Sequence, residues 1–187
     1  EINANLLPAT SAYRWQLSFN GARVRNKILR LPPNGVENNR VGGFYIWDPA
    51  SNNYAWKGGL QEGIRMGELY DRLQTGIYPT DEAAANAPFD TFIALDDNTT
   101  FGGDTEWQDT DGNGVIDSRD YVYMGNTYPT CTGGISTNFG YKNFNLYVRA
   151  DYTTGHTIFN WAMMFMEGNL YSDGNTTQRK VDRAWRE

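Results

Sequence analysis

The stretch ISTNFGYKNFNLYVRADYT, residues 135–153, alternates apolar and polar side chains through two runs separated by the dipeptide Lys142-Asn143. In the second run Phe144, Leu146, Val148, Ala150 and Tyr152 share one parity, and Asn145, Arg149, Asp151 and Thr153 share the other. Successive side chains of an extended strand point to opposite faces, so strict alternation predicts a strand with one apolar and one polar face. Two residues between the runs is the length of a tight hairpin connection. The stretch therefore predicts an antiparallel hairpin and an all-β fold.

The same pattern returns near the start of the chain. Tyr13, Trp15, Leu17 and Phe19 oppose Arg14, Gln16, Ser18 and Asn20, and before them Ile2, Ala4 and Leu6 alternate with Asn3 and Asn5. Residues 8–11 supply the turn between the two runs. After Gly21 the apolar positions shift to Ala22, Val24 and Ile28, which predicts a β-bulge and a bent continuation.

Two hairpins, residues 1–25 and 134–154, are thus separated by residues 26–133, an excursion of roughly a hundred residues that a compact soluble domain seldom carries. Outer-membrane barrels do carry such excursions. They join strands of about ten residues, apolar toward lipid and polar toward the lumen, by short periplasmic turns and long extracellular loops. Tyr13, Trp15, Phe139, Tyr141, Phe144 and Tyr152 lie near strand ends, where aromatic girdles belong. A half-solvated sheet in a β-sandwich gives the same alternation, and the asymmetry of loop lengths favours the barrel. The expected fold is a segment of a large transmembrane antiparallel β-barrel whose long extracellular loops contain short helices. Four strands cannot close a barrel, since about eight is the smallest bacterial number. Both edges must then pair with strands outside these residues.

Within the excursion, residues 41–47 and 67–70 read as short strands. Thr80 before Asp81 and Glu82 is a helix N-terminal signal, and Pro88 ends the helix. Residues 155–187 begin a further extracellular loop, with helical patterns at 157–167 and 179–186.

Composition narrows the chemistry. With 16 basic against 22 acidic residues, a net charge of -6 and no basic cluster, the chain lacks the face that nucleic acid demands. Cys131 is the only cysteine and His156 the only histidine, which excludes an intrachain disulfide and a thiolate zinc cluster. A Cys131–His156 nucleophile pair rests on nothing beyond both residues being present. No apolar run approaches the roughly 18 residues of a transmembrane helix, which excludes helical spans and leaves barrels open.

One segment has metal-ligand spacing. In DTDGNGVIDSRD, residues 109–120, positions 1, 3, 5, 7, 9 and 12 of a twelve-residue loop are Asp109, Asp111, Asn113, the carbonyl of Val115, Asp117 and Asp120. Calcium takes six to eight oxygens from such positions, Gly114 at position six permits the sharp turn, and Ile116 at position eight anchors the loop. Aspartate at position twelve replaces the usual glutamate and shortens the reach of a bidentate bond. The expected role is a structural calcium clip with no catalytic duty. An acidic turn without metal fits the same residues.

Read in order, EGIRMGELY (62–70), TGIY (75–78), EAAA (82–85), GDTEWQDTDGNGVID (103–117), YMGNTYP (123–129), TGGI (132–135) and FGYKNFNL (139–146) resemble a stretch of the SusC/RagA-like TonB-dependent outer-membrane transporters. The resemblance runs from about residue 14 to residue 185. It implies a bacterial outer-membrane barrel filled by a plug domain, energised through TonB and capped by a SusD-like surface lipoprotein. Such transporters import oligosaccharides or peptides in Bacteroidetes. The plug, the TonB-contacting segment and the remaining barrel strands are expected outside these residues. Two readings from other classes stand beside it. One is a self-contained extracellular β-domain, stapled by calcium, that binds glycans through Trp47, Trp56 and Trp107. The other is a glycosidase using a carboxylate pair such as Asp97 and Asp104.

Overall fold

The computed structural model describes residues 2–5, 12–93 and 100–168, the first four and the last four of them as backbone only. Twelve strands and two short helices follow one another: β1 (Ile2–Asn5), β2 (Tyr13–Arg23), β3 (Phe44–Asp48), β4 (Asn53–Lys57), β5 (Glu68–Asp71), β6 (Gln74–Ile77), α1 (Asp81–Ala84), β7 (Phe89–Asp90), β8 (Thr105–Trp107), β9 (Val115–Ile116), β10 (Val122–Asn126), β11 (Cys131–Tyr141), β12 (Phe144–Thr154) and α2 (Trp161–Gly168). The fold is all-β. Its largest sheet has four antiparallel strands in the order β1-β2-β11-β12 and does not close.

Register across this sheet places like with like. Tyr13 pairs with Tyr141, which pairs with Phe144, and the next level on that face is Trp15, Phe139 and Leu146. Leu17, Thr137 and Val148 follow, then Phe19, Ile135 and Ala150, then Gly21, Gly133 and Tyr152. The face thus begins in aromatic residues at the two-residue turn, becomes mainly aliphatic, and ends at a tyrosine. The opposite face carries Arg14, Gln16, Ser18 and Asn20 of β2 alongside Asn145, Arg149 and Asp151 of β12. Every residue of β12 is exposed, so none of the described residues packs over either of its faces. Nine residues at about 3.3 Å, tilted by about 40°, span roughly 20 Å, close to the apolar band of an outer-membrane barrel.

Two details hold the apolar face together. The indole N–H of Trp15 donates to Thr137 Oγ1 at 2.7 Å, so its polar atom is satisfied inside the sheet. Tyr152 lies across the glycines at 21 and 133: a Cβ on Gly133 would meet the Asn20 carbonyl and sit 2.6 Å from Tyr152 Oη.

The expected bulge after Gly21 is absent. The β2–β11 pairing runs unshifted from Tyr13↔Tyr141 to Arg23↔Cys131, and Val24 N–H extends it by donating to the Thr130 carbonyl at 2.9 Å. The apolar positions shift phase because the strand ends at Arg23, and Ile28 belongs to the loop, where its N–H donates to Ile64 O. The second hairpin also starts earlier than its alternation indicated, at Cys131, because glycines 133 and 134 pair as well as branched residues when their neighbours fix the ladder. The expected helix at 157–167 is confined to Trp161–Gly168, with Asn160 Oδ1 accepting from Met163 N–H at its start. The turn at 8–11 and the helix at 179–186 lie outside the described residues.

The excursion between β2 and β11 is built from two-stranded ladders, β3 with β4, β5 with β10, β6 with β8 and, in parallel, β7 with β9. Hydrogen-bonded side chains clip them to one another. Glu62 Oε1 accepts from Leu31 N–H and Asn39 Nδ2, both at 2.8 Å, which holds its carboxyl below the ordinary carboxylate range. Buried Asn126 donates to the Met66 carbonyl at 2.9 Å and accepts from Tyr128 N–H at 2.8 Å. Thr80 caps α1 as expected, accepting from Ala83 N–H.

Candidate metal centre

The acidic loop is seated by β9. Parallel pairing of Phe89 with Val115 and Asp90 with Ile116 fixes its middle, and Ile116 is 2% exposed. The carbonyls of Gly114 and Ile116 accept from Phe89 and Thr91 N–H. Successive carbonyls of an extended strand alternate in direction, so that of Val115 points away from this ladder. Gly112 and Gly114 have φ of 70° and 80°, a left-handed conformation that a side chain would strain.

Three of the expected ligands converge. One carboxylate oxygen each from Asp109, Asp111 and Asp120 lies within 4.8 Å of the other two. Asp109 accepts from the N–H groups of Gly112 and Gly114 at 2.8 and 2.7 Å, curling the backbone around its own carboxylate. Asn113 accepts from Val115 N–H at 2.7 Å and donates to Asp111 Oδ2 at 2.9 Å. Asp120 is completely buried, and its two oxygens accept from Thr110 and Asp117 N–H at 2.8 Å each. Burial raises the Asp120 pKa, those two N–H donors partly oppose the rise, and the charges of Asp111 and Asp109 add to it.

Asp117 departs from the expected set. Its carboxylate is held by the guanidinium of Arg119, with Nε at 3.0 and 2.8 Å from its two oxygens, which lowers its pKa. Its side chain also caps the turn at residues 118–120, whereas Asp120 closes the reciprocal half of that capping box. Position nine of such loops often reaches its ion through water; here it is committed to a cation from within the loop. Arg119, at position eleven of the same loop, is the residue that diverts it.

Sequence reading had no means of finding Tyr54. From β4, 57 residues earlier, its hydroxyl donates to Asp111 Oδ2 at 2.6 Å, and this bond is the main cause of its raised pKa. The acidic loop and the β3–β4 hairpin are therefore joined directly.

The donor set suits a hard cation. All the side-chain donors are oxygens, three carry formal charge, and Arg119 is spent on Asp117, so a divalent ion would neutralise a partly buried, mutually repelling cluster. Asp109, Asp111, Asp120 and the Val115 carbonyl would hold it, and Asn113 could add its amide oxygen.

The remaining candidates separate. Trp47 and Trp56 share one face of the β3–β4 hairpin, with Trp47 paired to Tyr54 and Trp56 to Tyr45. Trp107 belongs to a different place, a cavity of about 430 Å³, where the Arg72 guanidinium lies over its ring at 4.1 Å and over Phe92 at 4.3 Å while pairing with buried Asp90 at 3.2 Å. The three tryptophans thus form no single platform. Asp104 is exposed and accepts from Phe101 N–H at 2.8 Å, and Asp97 lies outside the described residues.

No family model matches the chain. Two curated proteins of Formosa agariphila do. TonB-dependent receptor P3 is 27% identical over 175 residues, 92% of this chain and 16% of that protein. TonB-dependent receptor P39 is 28% identical over 163 residues, 79% of this chain and 15% of that protein. The chain is thus similar to two TonB-dependent receptors over most of its length. It spans about a sixth of the length of these two relatives. Among the described residues the outer edges of β1 and β12 are unpaired.

Proposed function

We propose that the chain is a barrel-and-loop portion of a SusC/RagA-like TonB-dependent transporter of the bacterial outer membrane, importing oligosaccharides or peptides beneath a SusD-like lipoprotein lid. The single observation that carries this reading is the β1-β2-β11-β12 sheet, apolar over one exposed face and polar over the other, with a loop of about a hundred residues on one side and a two-residue turn on the other. A sheet of a water-soluble domain buries its apolar face, and lipid makes that unnecessary. Its free edges pair with the remaining barrel strands, because an unpaired backbone group in lipid costs several kcal/mol. The turn at Lys142-Asn143 then lies on the periplasmic side and residues 26–133 outside the cell. A plug inside the full barrel provides the contact with TonB. The acidic loop is a structural calcium site whose affinity of about 10⁻⁴–10⁻³ M, usual for extracellular modules, keeps it filled outside a cell.

Uptake tests the reading directly. Cells lacking the gene should lose import of one class of labelled oligosaccharide or peptide, as should cells depleted of TonB, and a tagged full-length protein should retain a surface lipoprotein on purification. A protease added to intact cells should cut within residues 26–133 and spare Asn143. Uptake independent of both the gene and TonB would refute the reading. So would a 187-residue segment that folds cooperatively without detergent with Leu146 and Val148 buried; that outcome favours a self-contained glycan-binding domain.

A further inference from the structure

The β3–β4 hairpin has two unlike faces. Ile46, 4% exposed, and Phe44, edge-on to Tyr121 at 4.9 Å, face the interior of the loop. The other face carries only Tyr and Trp: Tyr45 stands 5.6 Å from Tyr54 and 5.5 Å from Trp56, and Trp47 meets Tyr54 at 5.1 Å. Tyr45 is 47% and Trp56 39% exposed. Beside them opens a cleft of about 600 Å³, within the range of roughly 300–1,000 Å³ typical of small-molecule sites.

The opposite wall of the cleft is polar. The Arg40 guanidinium lies over Trp56, its carbon 4.0 Å from the ring centroid, and its side chain makes no hydrogen bond among the described residues. The side chains of Glu37 and Asn38 line the cleft and have no hydrogen-bond partner among the described residues. Asn38 and Asn39 have φ of 54° and 47°, a conformation uncommon for residues with a side chain. The turn is held there by the bond from Asn39 Nδ2 to Glu62 and by donation from Glu62 N–H to the Asn38 carbonyl at 3.0 Å. At the base lies Gln61, 4% exposed, whose Nε2 donates to the carbonyls of Gly58 and Trp56 while its Oε1 takes no donor. An amide oxygen without a donor, at the base of an open cleft, can accept from a ligand hydroxyl.

We propose that this cleft is a binding site for a neutral saccharide, which the outer loop holds at the cell surface. A pyranose offers an apolar C–H face, which packs on the exposed rings, and a rim of hydroxyls that donate to Glu37 and Gln61 and accept from Arg40 and Asn38. One guanidinium and one carboxylate leave the cleft without net charge, which favours neither an acidic polymer nor a basic peptide. Tyr54 lines the cleft and donates to Asp111, so the acidic loop fixes one wall. The outward placement of this cleft rests on the transporter reading; its recognition chemistry does not.

Calorimetric titration of the full-length protein, in detergent with calcium, tests the site with maltohexaose, cellohexaose and laminarihexaose, and with hexagalacturonate and a hexapeptide as charged and peptidic controls. At least one neutral hexaose should bind, Tyr45→Ala should weaken it about tenfold, and Glu37→Gln should weaken it while hydrogen exchange of residues 44–57 stays as in the wild type. The proposal is overturned if no neutral hexaose binds at millimolar concentration, if only the controls bind, or if both variants bind as the wild type does. Binding that Tyr45→Ala abolishes, in a protein that imports nothing, upholds the site and refutes the transporter reading alone.

Discussion

Replacing Asp111 by Asn should stabilise the acidic loop in the absence of calcium and remove most of its response to calcium. Two unit charges 4.8 Å apart repel by about 0.9 kcal/mol in water and about 3.5 kcal/mol at an effective dielectric constant of about 20. Asp111 takes part in two of the three pairs, so without a cation the substitution relieves about 2–7 kcal/mol, toward the lower end because Asp109 and Asp111 are only half-buried. The amide keeps two of the three local bonds. Its oxygen still accepts from Asn113 N–H, now at 3.1 Å, and the Tyr54 hydroxyl can rotate to accept from the new N–H₂, whereas Asn113 Nδ2 loses its acceptor at 2.9 Å, a cost of about 1 kcal/mol against the relief. With calcium the advantage shrinks. At 10 mM calcium, a site with Kd of about 10⁻⁴–10⁻³ M stabilises the folded loop by about 1.4–2.7 kcal/mol, and loss of a charged ligand denies most of that to the variant. Hydrogen exchange of residues 109–120 in the full-length protein reads both terms. The Asn variant should be more protected than the wild type in chelator, and calcium should raise the protection of the wild type by about 10–100-fold while barely changing that of the variant. A variant no better protected than the wild type in chelator, or wild-type exchange that ignores calcium, would refute the metal assignment.

Arg72→Ala should leave the Asp90 carboxylate, 8% exposed, without its cation and empty the space between Phe92 and Trp107, costing about 3 kcal/mol, read as lost protection at residues 89–93 and 105–107. Gly133→Val should force Tyr152 off the apolar face and press on the Asn20 carbonyl, costing about 1–3 kcal/mol and lowering the fraction of folded protein in the outer membrane, scored by mobility on unheated gels. The clip made by Glu62 should be intact above pH of about 4.5, its unfolded value, and be lost as pH falls through its lower folded value. Glu62→Gln should flatten that pH dependence in the exchange of Leu31 N–H.

What the sequence disclosed follows from the range of each interaction. Strand faces in β2, β11 and β12 were legible because alternation is local, and the two-residue turn fixed the register of the last pair. The absent bulge shows the limit of that reading: a phase slip marks either a bulge or a strand end, and only the partner strand, in register as far as Arg23↔Cys131, tells which. Spacing within twelve residues located Asp109, Asp111 and Asp120, because loop closure alone brings them together. It could not reveal that Asp117 turns to Arg119, since both arrangements share one sequence. Contacts at long separation were invisible. Tyr54 reaches Asp111 across 57 residues, and Trp107 leaves the other tryptophans for Arg72, through ladders of two to five residues that carry little pattern of their own.

Those short ladders bear on why a metal clip would sit in this loop at all. Among the described residues the buried apolar side chains are Ile46, Ala84 and Ile116, all within the excursion and spread over β3, α1 and β9. Burial of that extent offsets little of the entropy lost when a long loop is ordered. The order must come from elsewhere. One source is the sheet, which pins the two ends through Val24 N–H and the Thr130 carbonyl. The other is a chain of polar cross-links: Glu62 to Leu31 and Asn39, Asn126 to Met66, Arg72 to Asp90, and Tyr54 to Asp111. Hydrogen bonds of this kind each contribute about 1 kcal/mol net, so their sum is sensitive to any member that carries unrelieved repulsion. The acidic cluster is such a member, and Tyr54 links it to the wall of the saccharide cleft. A cation that relieves Asp109, Asp111 and Asp120 therefore stabilises more than its own turn: it fixes the hairpin through Tyr54, and with it the spacing between the aromatic face and the turn bearing Glu37 and Asn38.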